Sequence, residues 1–583
     1  MSNDERSRPD PAGRDPVGTD DANTEELDPR RWIVLVILLG AGFMDMLDVT
    51  IVNVAVPSML RDLKAEYSQI EWVVAGYVIG FAALLVTGGR LGDIYGRKKL
   101  FLIGVAGFTL ASLFCGIAVN PNMLIGARLA QGAMAGLMVP QVLAIVHVTF
   151  PADERGKVLG IWGSVLGFAS VAGVIVGGLL VEGDVFGLEW RSIFLINLPV
   201  GLIALIAGWF VVGESHSPTA PKLDLLGMVL AVSGILLLIY PLIKGRDHGW
   251  PAWIFAMMAA SAVVLALFVA YEHRRTRTVG SPLVVLGLFR ARAFTTGMVG
   301  YLIFWISLGG FFLVWTLYLQ MGLGWSPLHA GLTAAIFAVG AGAGSGLSVE
   351  VLTPRFGRKV LMAGALFNAA GFAWYALAAD HYGPGISSWG MAGPLVLAGF
   401  GFGLVIAPIV DVILAGVDRH DAGSASGLLN TTQQVGWALG VALVGVLFFA
   451  QLEHDSGRGV DEVTPALSRQ LSAAGVPKQN QEQILAGFRA CVRDRSEAND
   501  PTVVPASCRP GPGQPSAVVQ ALTESGAKAN AHNFSRGFSI ALWYGIGILI
   551  IVFFAMFGLP RRARPRDLDA ELPVHEPVDA AGR

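Results

Sequence analysis

The chain has 583 residues, of which 54% are hydrophobic and only 14% charged, and its mean hydropathy is +0.59. Soluble domains carry about 25% charged residues, so this composition excludes a soluble globular enzyme and describes an integral membrane protein. A formal net charge of −2, with no strongly basic domain, argues against nucleic acid as a partner.

Residues 1–31 are polar, rich in Asp, Glu, Pro and Gly, and read as a disordered tail rather than a cleavable signal peptide. Beyond them, apolar segments run at roughly 32–57, 72–91, 100–119, 122–148, 157–181, 192–213, 223–243, 252–271, 295–320, 327–349, 360–379, 391–416, 423–450 and 536–559. These are about fourteen spans by the length a helix needs to cross a bilayer. An even number puts both termini on one side. Arg30 and Arg31 before the first span, and Arg561, Arg562, Arg564 and Arg566 after the last, assign that side to the cytoplasm. Arg155 and Lys157, then Arg274, Arg275, Arg277, Arg290 and Arg292, then Arg355, Arg358 and Lys359 fall in other inner loops. Arg61 and Lys64 lie in an outer loop, accompanied by Asp62, Glu66 and Glu71. The 73 glycines suit close packing among many helices.

Ionisable residues inside apolar spans are costly and are functional candidates. Asp45 and Asp48 in the first span are three residues apart and share a helix face. Arg128 lies in the fourth. At about 1.5 Å per residue, Asp48 is roughly 13 Å and Arg128 roughly 10 Å from the outer helix ends, so their depths match. An arginine favours the ionised carboxylate, whereas desolvation and a second carboxylate oppose it. That competition suits a proton carrier. A purely structural Asp–Arg pair is the alternative, and both stay open on these residues.

The second and third spans are joined by Gly89-Arg90-Leu91-Gly92-Asp93-Ile94-Tyr95-Gly96-Arg97-Lys98-Lys99. The basic cluster keeps this turn inside, the glycines permit a tight reversal, and Asp93 and Arg97 are spaced i, i+4 for a charge pair. An echo, Phe356-Gly357-Arg358-Lys359-Val360-Leu361, follows the tenth span, with Pro354 in the place of Asp93. With the seventh and eighth spans set aside, the two hairpins occupy equivalent places in two six-span halves, as in duplicated secondary transporters. The expected organisation is therefore all-α. It comprises an N-terminal half over 32–213, a linker pair over 214–272, five further spans over 273–450, an outer insert over 451–535, the last span over 536–559 and a cytoplasmic tail over 560–583.

The hairpin resembles the cytoplasmic signature of the major facilitator superfamily. Leu47-Asp48-Val49-Thr50-Ile51-Val52-Asn53-Val54-Ala55-Val56-Pro57 is similar to the first-span motif of its fourteen-span drug:proton antiporters. Arg128-Leu129-Ala130-Gln131-Gly132 matches that family's Arg-x-x-Gln-Gly, and Trp190-Arg191-Ser192-Ile193-Phe194-Leu195-Ile196-Asn197-Leu198-Pro199-Val200-Gly201 and Ala425-Ser426-Gly427-Leu428-Leu429-Asn430-Thr431 fit further hallmarks. The fifth-span antiporter signature departs from the pattern: Gly173-Val174-Ile175-Val176-Gly177-Gly178 lacks the usual proline. The resemblance implies alternating access driven by a proton gradient, without a cofactor. It also points to Asp48 and Arg128, with Asp45 beside them, as coupling residues, and to Gly89, Asp93, Gly96, Arg97 and Lys98 as a conformational switch.

For cargo, Asn53, Gln131, Asn430, Gln433 and Gln434 are candidates to line a cavity, although polar residues also bond helix to helix. Trp305, Phe311, Phe312, Trp315 and Tyr318 cluster in the ninth span, as flat apolar or cationic molecules would require. Asp411 and Glu350, near the inner interface, are secondary carboxylate candidates. Neither a phosphate-binding Gly-x-x-x-x-Gly-Lys-Ser/Thr loop nor a metal-ligand cluster nor a nucleophile–base set is visible, so an ion gradient is the expected energy source. In the insert, 465–474 and 478–492 read as short amphipathic helices, and Cys491 and Cys508 are expected to be bonded in an oxidising compartment. Cys115 is the third cysteine. The insert is open to reading as a lid, a docking surface for an envelope partner, or a tolerated insertion. The sequence thus predicts a bacterial inner-membrane, lipid-embedded exporter of hydrophobic or cationic small molecules. Export of an envelope lipid or secondary metabolite, or a transporter-like sensor, are the rivals.

Overall fold

The computed structural model describes residues 29–216, 223–245, 248–280, 282–414, 417, 422–497, 504–509 and 514–559. Most of both expected tails lies outside the described residues. The first six helices are α1 (Arg31–Leu63), α2 (Tyr67–Tyr95), α3 (Arg97–Gly116), α4 (Pro121–Thr149), α5 (Ala152–Glu182) and α6 (Glu189–Val211). The linker pair is α7 (Leu225–Lys244) and α8 (Ala252–Thr278). The second half comprises α9 (Arg292–Gly322), α10 (Pro327–Phe356), α11 (Arg358–Gly385), α12 (Ser388–Leu414) and α13 (Ala422–His454). The insert helices α14 (Ser456–Ala473) and α15 (Lys478–Glu497) follow, and α16 (Ser516–Ala555) closes the chain. Thirteen of these helices are long and apolar enough to cross a membrane, and α5 adds a shorter apolar stretch, Ala172–Glu182. No strand occurs among the described residues. In hydrocarbon every backbone donor and acceptor must be satisfied within the segment, so apolar runs of this length adopt helices.

Local chemistry sets the ends. Lys64 enters the left-handed region (φ 49°) to close α1, Asn120 caps α4 ahead of Pro121, and Ser326 caps α10 ahead of Pro327. Trp253, Phe255, Val263 and Leu267 of α8 are exposed, an apolar surface of the kind a bilayer covers.

The two halves repeat one packing device. Between α2 and α4, a methyl added to Gly132 or Gly136 would overlap the Tyr77 or Phe81 carbonyl. Between α10 and α12, the same addition at Gly399 or Gly403 would strike the Phe337 or Ala341 carbonyl. Both pairs are four residues apart, so one glycine stripe per half brings two backbones into contact. Gly173 and Gly177 do the same for α5 against α1, despite the missing proline: a methyl on Gly173 would overlap Thr50, and one on Gly177 would overlap Ile51.

The insert is longer and more helical than its sequence pattern predicts. α14 begins at Ser456, well before the expected 465, and α15 runs to Glu497. α16 begins at Ser516 rather than near 536, so the last span is the continuation of an insert helix. Val518, Ala521, Ser525 and Ala529 recur on one buried face of α16, a helical period that polar residues between them obscure in a hydropathy reading. Leu467, Leu471, Phe488 and Val518 join a separate small core. Cys491 and Cys508 are disulfide-bonded, and Cys115 is buried and free. Thiol labelling of denatured, unreduced protein should therefore modify one cysteine per chain; three modified thiols would contradict the bridge.

Candidate functional site

The first-span motif brings Asp48 to the centre of the N-terminal half, where it is fully buried. Arg128 of α4, only 2% exposed, forms an ion pair with Asp48 through Nη1. The same Nη1 donates to Gln131 Oε1 at 2.7 Å, and Gln131 Nε2 donates to Asp48 Oδ1 at 2.8 Å. Asn197 of α6 donates to Asp48 Oδ1 at 2.9 Å. Ser112 of α3 accepts from both amides, at 2.7 Å from Gln131 and 3.0 Å from Asn197. The Arg128 guanidinium also lies 4.2 Å from the Tyr77 ring centroid, and its Nε donates to the Val73 carbonyl at 3.3 Å. Asp48 is thus held by groups from α4 and α6, with α3 closing the network. A buried ion pair persists only when its remaining hydrogen-bonding capacity is met, as it is here.

One turn away, Asp45 has a different setting. It is half-buried, and among the described residues its hydrogen-bond partner is the Tyr77 hydroxyl of α2, which donates to Oδ1. Tyr77 also presents its ring to Arg128, so the phenol joins the two carboxylates' surroundings. Asp48 has a counter-charge of its own; Asp45 has a neutral donor.

The other candidate residues separate into groups. Gln131, an expected cavity residue, is fully buried and belongs to the Asp48 network. Asn53 donates to the Val49 carbonyl of its own helix at 3.3 Å. Phe311 and Trp315 pack inside the second half: Phe311 stacks on Phe372 at 4.7 Å, and Trp315 Nε1 donates to the Tyr375 hydroxyl at 2.8 Å. The incompletely buried aromatics nearby are Phe312, Phe402 and Trp437, with Phe312 stacked on Trp437 at 5.8 Å. Trp437 shares α13 with Asn430 and Gln434, which are also half-buried. Glu350 and Asp411 are exposed and join no site.

At the hairpin, Asp93 Oδ1 accepts from Arg97 Nη2 at 2.8 Å and Nε at 3.1 Å. Arg97 therefore pairs with its own hairpin here, as the i, i+4 spacing predicts. Gly89 lies against Pro140 of α4. Gly96 adopts φ 112°, and a methyl there would overlap the Glu214 carboxylate. Glu214 itself accepts from the Lys98 and Lys99 amides at 3.0 and 3.2 Å, capping the N-terminus of α3. Lys98 Nζ donates to the Trp209 carbonyl at the end of α6, at 2.7 Å. The echo behaves alike: Arg358 at the start of α11 donates to the Phe557 and Leu559 carbonyls after α16, at 2.7 and 2.6 Å. Each hairpin thus ties the last helix of its half by satisfying terminal carbonyls. Arg90 reaches instead to the Pro282 carbonyl, beyond the linker pair. Asp93→Asn is expected to slow transport while leaving equilibrium cargo affinity within about threefold. A large affinity loss with normal turnover would contradict a switching role.

The halves touch at the end where α1 finishes and α2 begins. Gln320 Nε2 donates to the Val54 carbonyl at 2.9 Å, the Tyr67 and Phe449 rings lie 4.4 Å apart, and Glu182 accepts from the Leu328 amide at 3.2 Å.

Sequence reasoning missed Asn197, Ser112, Tyr77 and Glu214. Asn197 carried a signal, being a polar residue inside a hallmark that otherwise leads into an apolar span. The others are ordinary polar residues until tertiary structure brings them to a charge.

Two six-helix halves, a linker pair and a buried charge network at the first helix of the N-terminal half define a secondary-transporter architecture. The chain belongs to the Major Facilitator Superfamily, whose family model matches residues 38–441. It is 40% identical over 538 residues to the "Probable actinorhodin transporter" of Streptomyces coelicolor, covering 92% of this chain and 93% of that protein. It is 32% identical over 581 residues to the "Tetracenomycin C resistance and export protein" of Streptomyces glaucescens, covering 98% of each. Among solved structures, a bacterial homolog of the human lysosomal transporter Spinster, inward-facing and occupied, matches with a TM-score of 0.59 at 16% identity. That match covers 91% of this chain and 96% of the other, and it is a likeness of fold alone.

Proposed function

We propose that the protein exports amphipathic small molecules of the antibiotic kind across the bacterial plasma membrane, by alternating access driven by proton antiport. Relatives named for antibiotic export and resistance support the cargo class, and the family supports the mechanism. The observation that carries the coupling assignment is the contrast between two carboxylates one turn apart. Asp48 is neutralised by Arg128 and held by Gln131 and Asn197, which makes it a structural anchor. Asp45, with a phenol as partner, is the group placed to take up and release a proton. The sequence alone favours Asp48 for that role; we assign it to Asp45. Phe312, Phe402 and Trp437, with Asn430 and Gln434, are the side of the cargo path contributed by the second half.

Both termini are assigned to the cytoplasm from the arginine-rich inner loops, which puts the insert outside. In that orientation the contacts between Gln320 and Val54 and between Tyr67 and Phe449 close the outer end, and this conformation receives cargo from the cytoplasm. A second reading, export of a compound the cell itself makes, is favoured by relatives each named for a single compound. The test is uptake into inverted vesicles with an imposed pH gradient, using tetracenomycin C and a cationic dye as parallel cargoes. Accumulation abolished by a protonophore is expected. Accumulation that persists without any ion gradient, or none for either cargo, would contradict the reading.

A further inference from the structure

A cavity of about 1310 Å³ lies where the insert roofs the seam between the two halves. Its floor is the closed end of the transport path, including Pro57, Tyr67, Gln320 and Phe449, and its walls come from α15, α16 and the segment around Cys508. Small-molecule sites occupy roughly 300–1,000 Å³, so this space admits a drug-sized guest with water to spare.

The charges lining it have one sign. Arg61, Arg495 and Arg509 border the cavity, and among the described residues no Asp or Glu does. None of the three has a carboxylate partner among the described residues; Arg61 contacts only the Ser58 hydroxyl, at 3.4 Å. Elsewhere in the same region arginines find acids readily: Arg458 and Arg536 pair with Asp455 at 3.2 and 3.3 Å, and Arg489 pairs with Asp461 at 3.0 Å. Arginines without an acid partner among the described residues therefore face the cavity, while Arg458, Arg489 and Arg536 nearby are matched. A guanidinium fork is suited to a carboxylate or phosphate. The rest of the wall mixes neutral polar residues with apolar and aromatic ones, among which Tyr67, Phe449 and Phe488 are prominent. Asn533, 4% exposed, and Gln514 also line it, each with a buried amide oxygen that lacks a donor. Such orphan acceptors call for a hydroxyl or amide donor on a guest.

We propose that this roofed vestibule binds an amphipathic anion. The guest's flat apolar body lies against Tyr67, Phe449 and Phe488, and its carboxylate or phosphate meets the arginines. α13 and α16 run without interruption from the transmembrane region into the insert, so the roof belongs to the second half while Pro57, Arg61 and Tyr67 belong to the first. Any rocking of one half on the other therefore reshapes the vestibule. Two sources carry this chemistry: an exported aromatic acid, or the headgroup of an anionic phospholipid. The outward position of the site rests on the orientation proposed above; its preference for anions does not, and the test needs no gradient.

The test is equilibrium binding to the purified full chain of three probes of one shape: anthraquinone-2-carboxylate, neutral anthraquinone and 2-aminomethylanthraquinone. The carboxylate is expected to bind at least about tenfold tighter than the other two, with affinity falling as salt rises. The Arg61→Gln/Arg495→Gln/Arg509→Gln variant, checked for an intact disulfide, should lose that preference. Should the variant not fold, the probe series and the salt dependence of the wild type still decide. In nanodiscs, displacement of the probe by phosphatidylglycerol but not phosphatidylcholine assigns the site to lipid; indifference to both assigns it to an exported acid. Equal affinity for all three probes, or an unchanged preference in the folded triple variant, would overturn the proposal. Such a failure would leave proton-driven uptake into inverted vesicles untouched.

Discussion

Asp45→Asn is expected to abolish accumulation of cargo against its gradient while leaving exchange of cargo down its gradient in place. The substitution keeps the side chain's size and leaves a group able to meet the Tyr77 hydroxyl, but it cannot release or take up a proton. Because Asp45 makes no bond to Arg128, the Asp48 network should stay intact and the folded protein should be recovered at the wild-type level. Proteoliposome assays with matched protein, with and without an imposed pH gradient, separate the two activities. Undiminished uphill transport would send the proton elsewhere, with Asp48 next in line.

A different failure is expected one turn further along. Asp48→Leu leaves the fully buried Arg128 without a counter-charge, and Arg128→Leu leaves Asp48 with only two amides. Breaking one member of a buried pair typically costs about 3–5 kcal/mol, because the survivor is an uncompensated charge. Each single variant should therefore show a lowered unfolding temperature and poor recovery, with transport lost alongside. The paired replacement Asp48→Leu/Arg128→Leu removes both charges and should regain part of that stability while remaining inactive in uphill export. Single variants as stable as the wild type would show that the pair is not the anchor proposed. Read together, the Asp45 and Asp48 variants distinguish a group that titrates from one that holds helices in place.

The membrane class, the near-complete set of spans and the duplicated halves were legible because each rests on a local signal. Runs of apolar residues set the spans, basic residues set the loops, and the Gly-Arg-Lys echo marked the repeat. The Asp48–Arg128 pair was legible from depth alone, since two buried opposite charges at matching height have few alternatives. The rest depends on contacts between residues distant in sequence. Gln131 reads equally as a cavity residue or a network residue until Asn197 and Ser112 are brought beside it. Phe311 and Trp315 carry the aromatic character of a cargo site, yet their side of α9 packs against α11, leaving Phe312 less buried. Glu214 follows α6 in a polar stretch, and only the fold places its carboxylate over the amides that begin α3. The insert was the least legible part. Its helices bury a small core of their own and close over the seam, and no residue pattern announces what a segment will roof.

The coupling claim is tested most directly by proton release from the detergent-solubilised protein in weakly buffered solution. Adding a transported cargo to the wild type should release protons, since cargo and proton compete for the inward-facing state, and the release should fade at alkaline pH where the site is already deprotonated. Asp45→Asn should bind cargo and release none. Proton release by Asp45→Asn equal to that of the wild type would contradict the account.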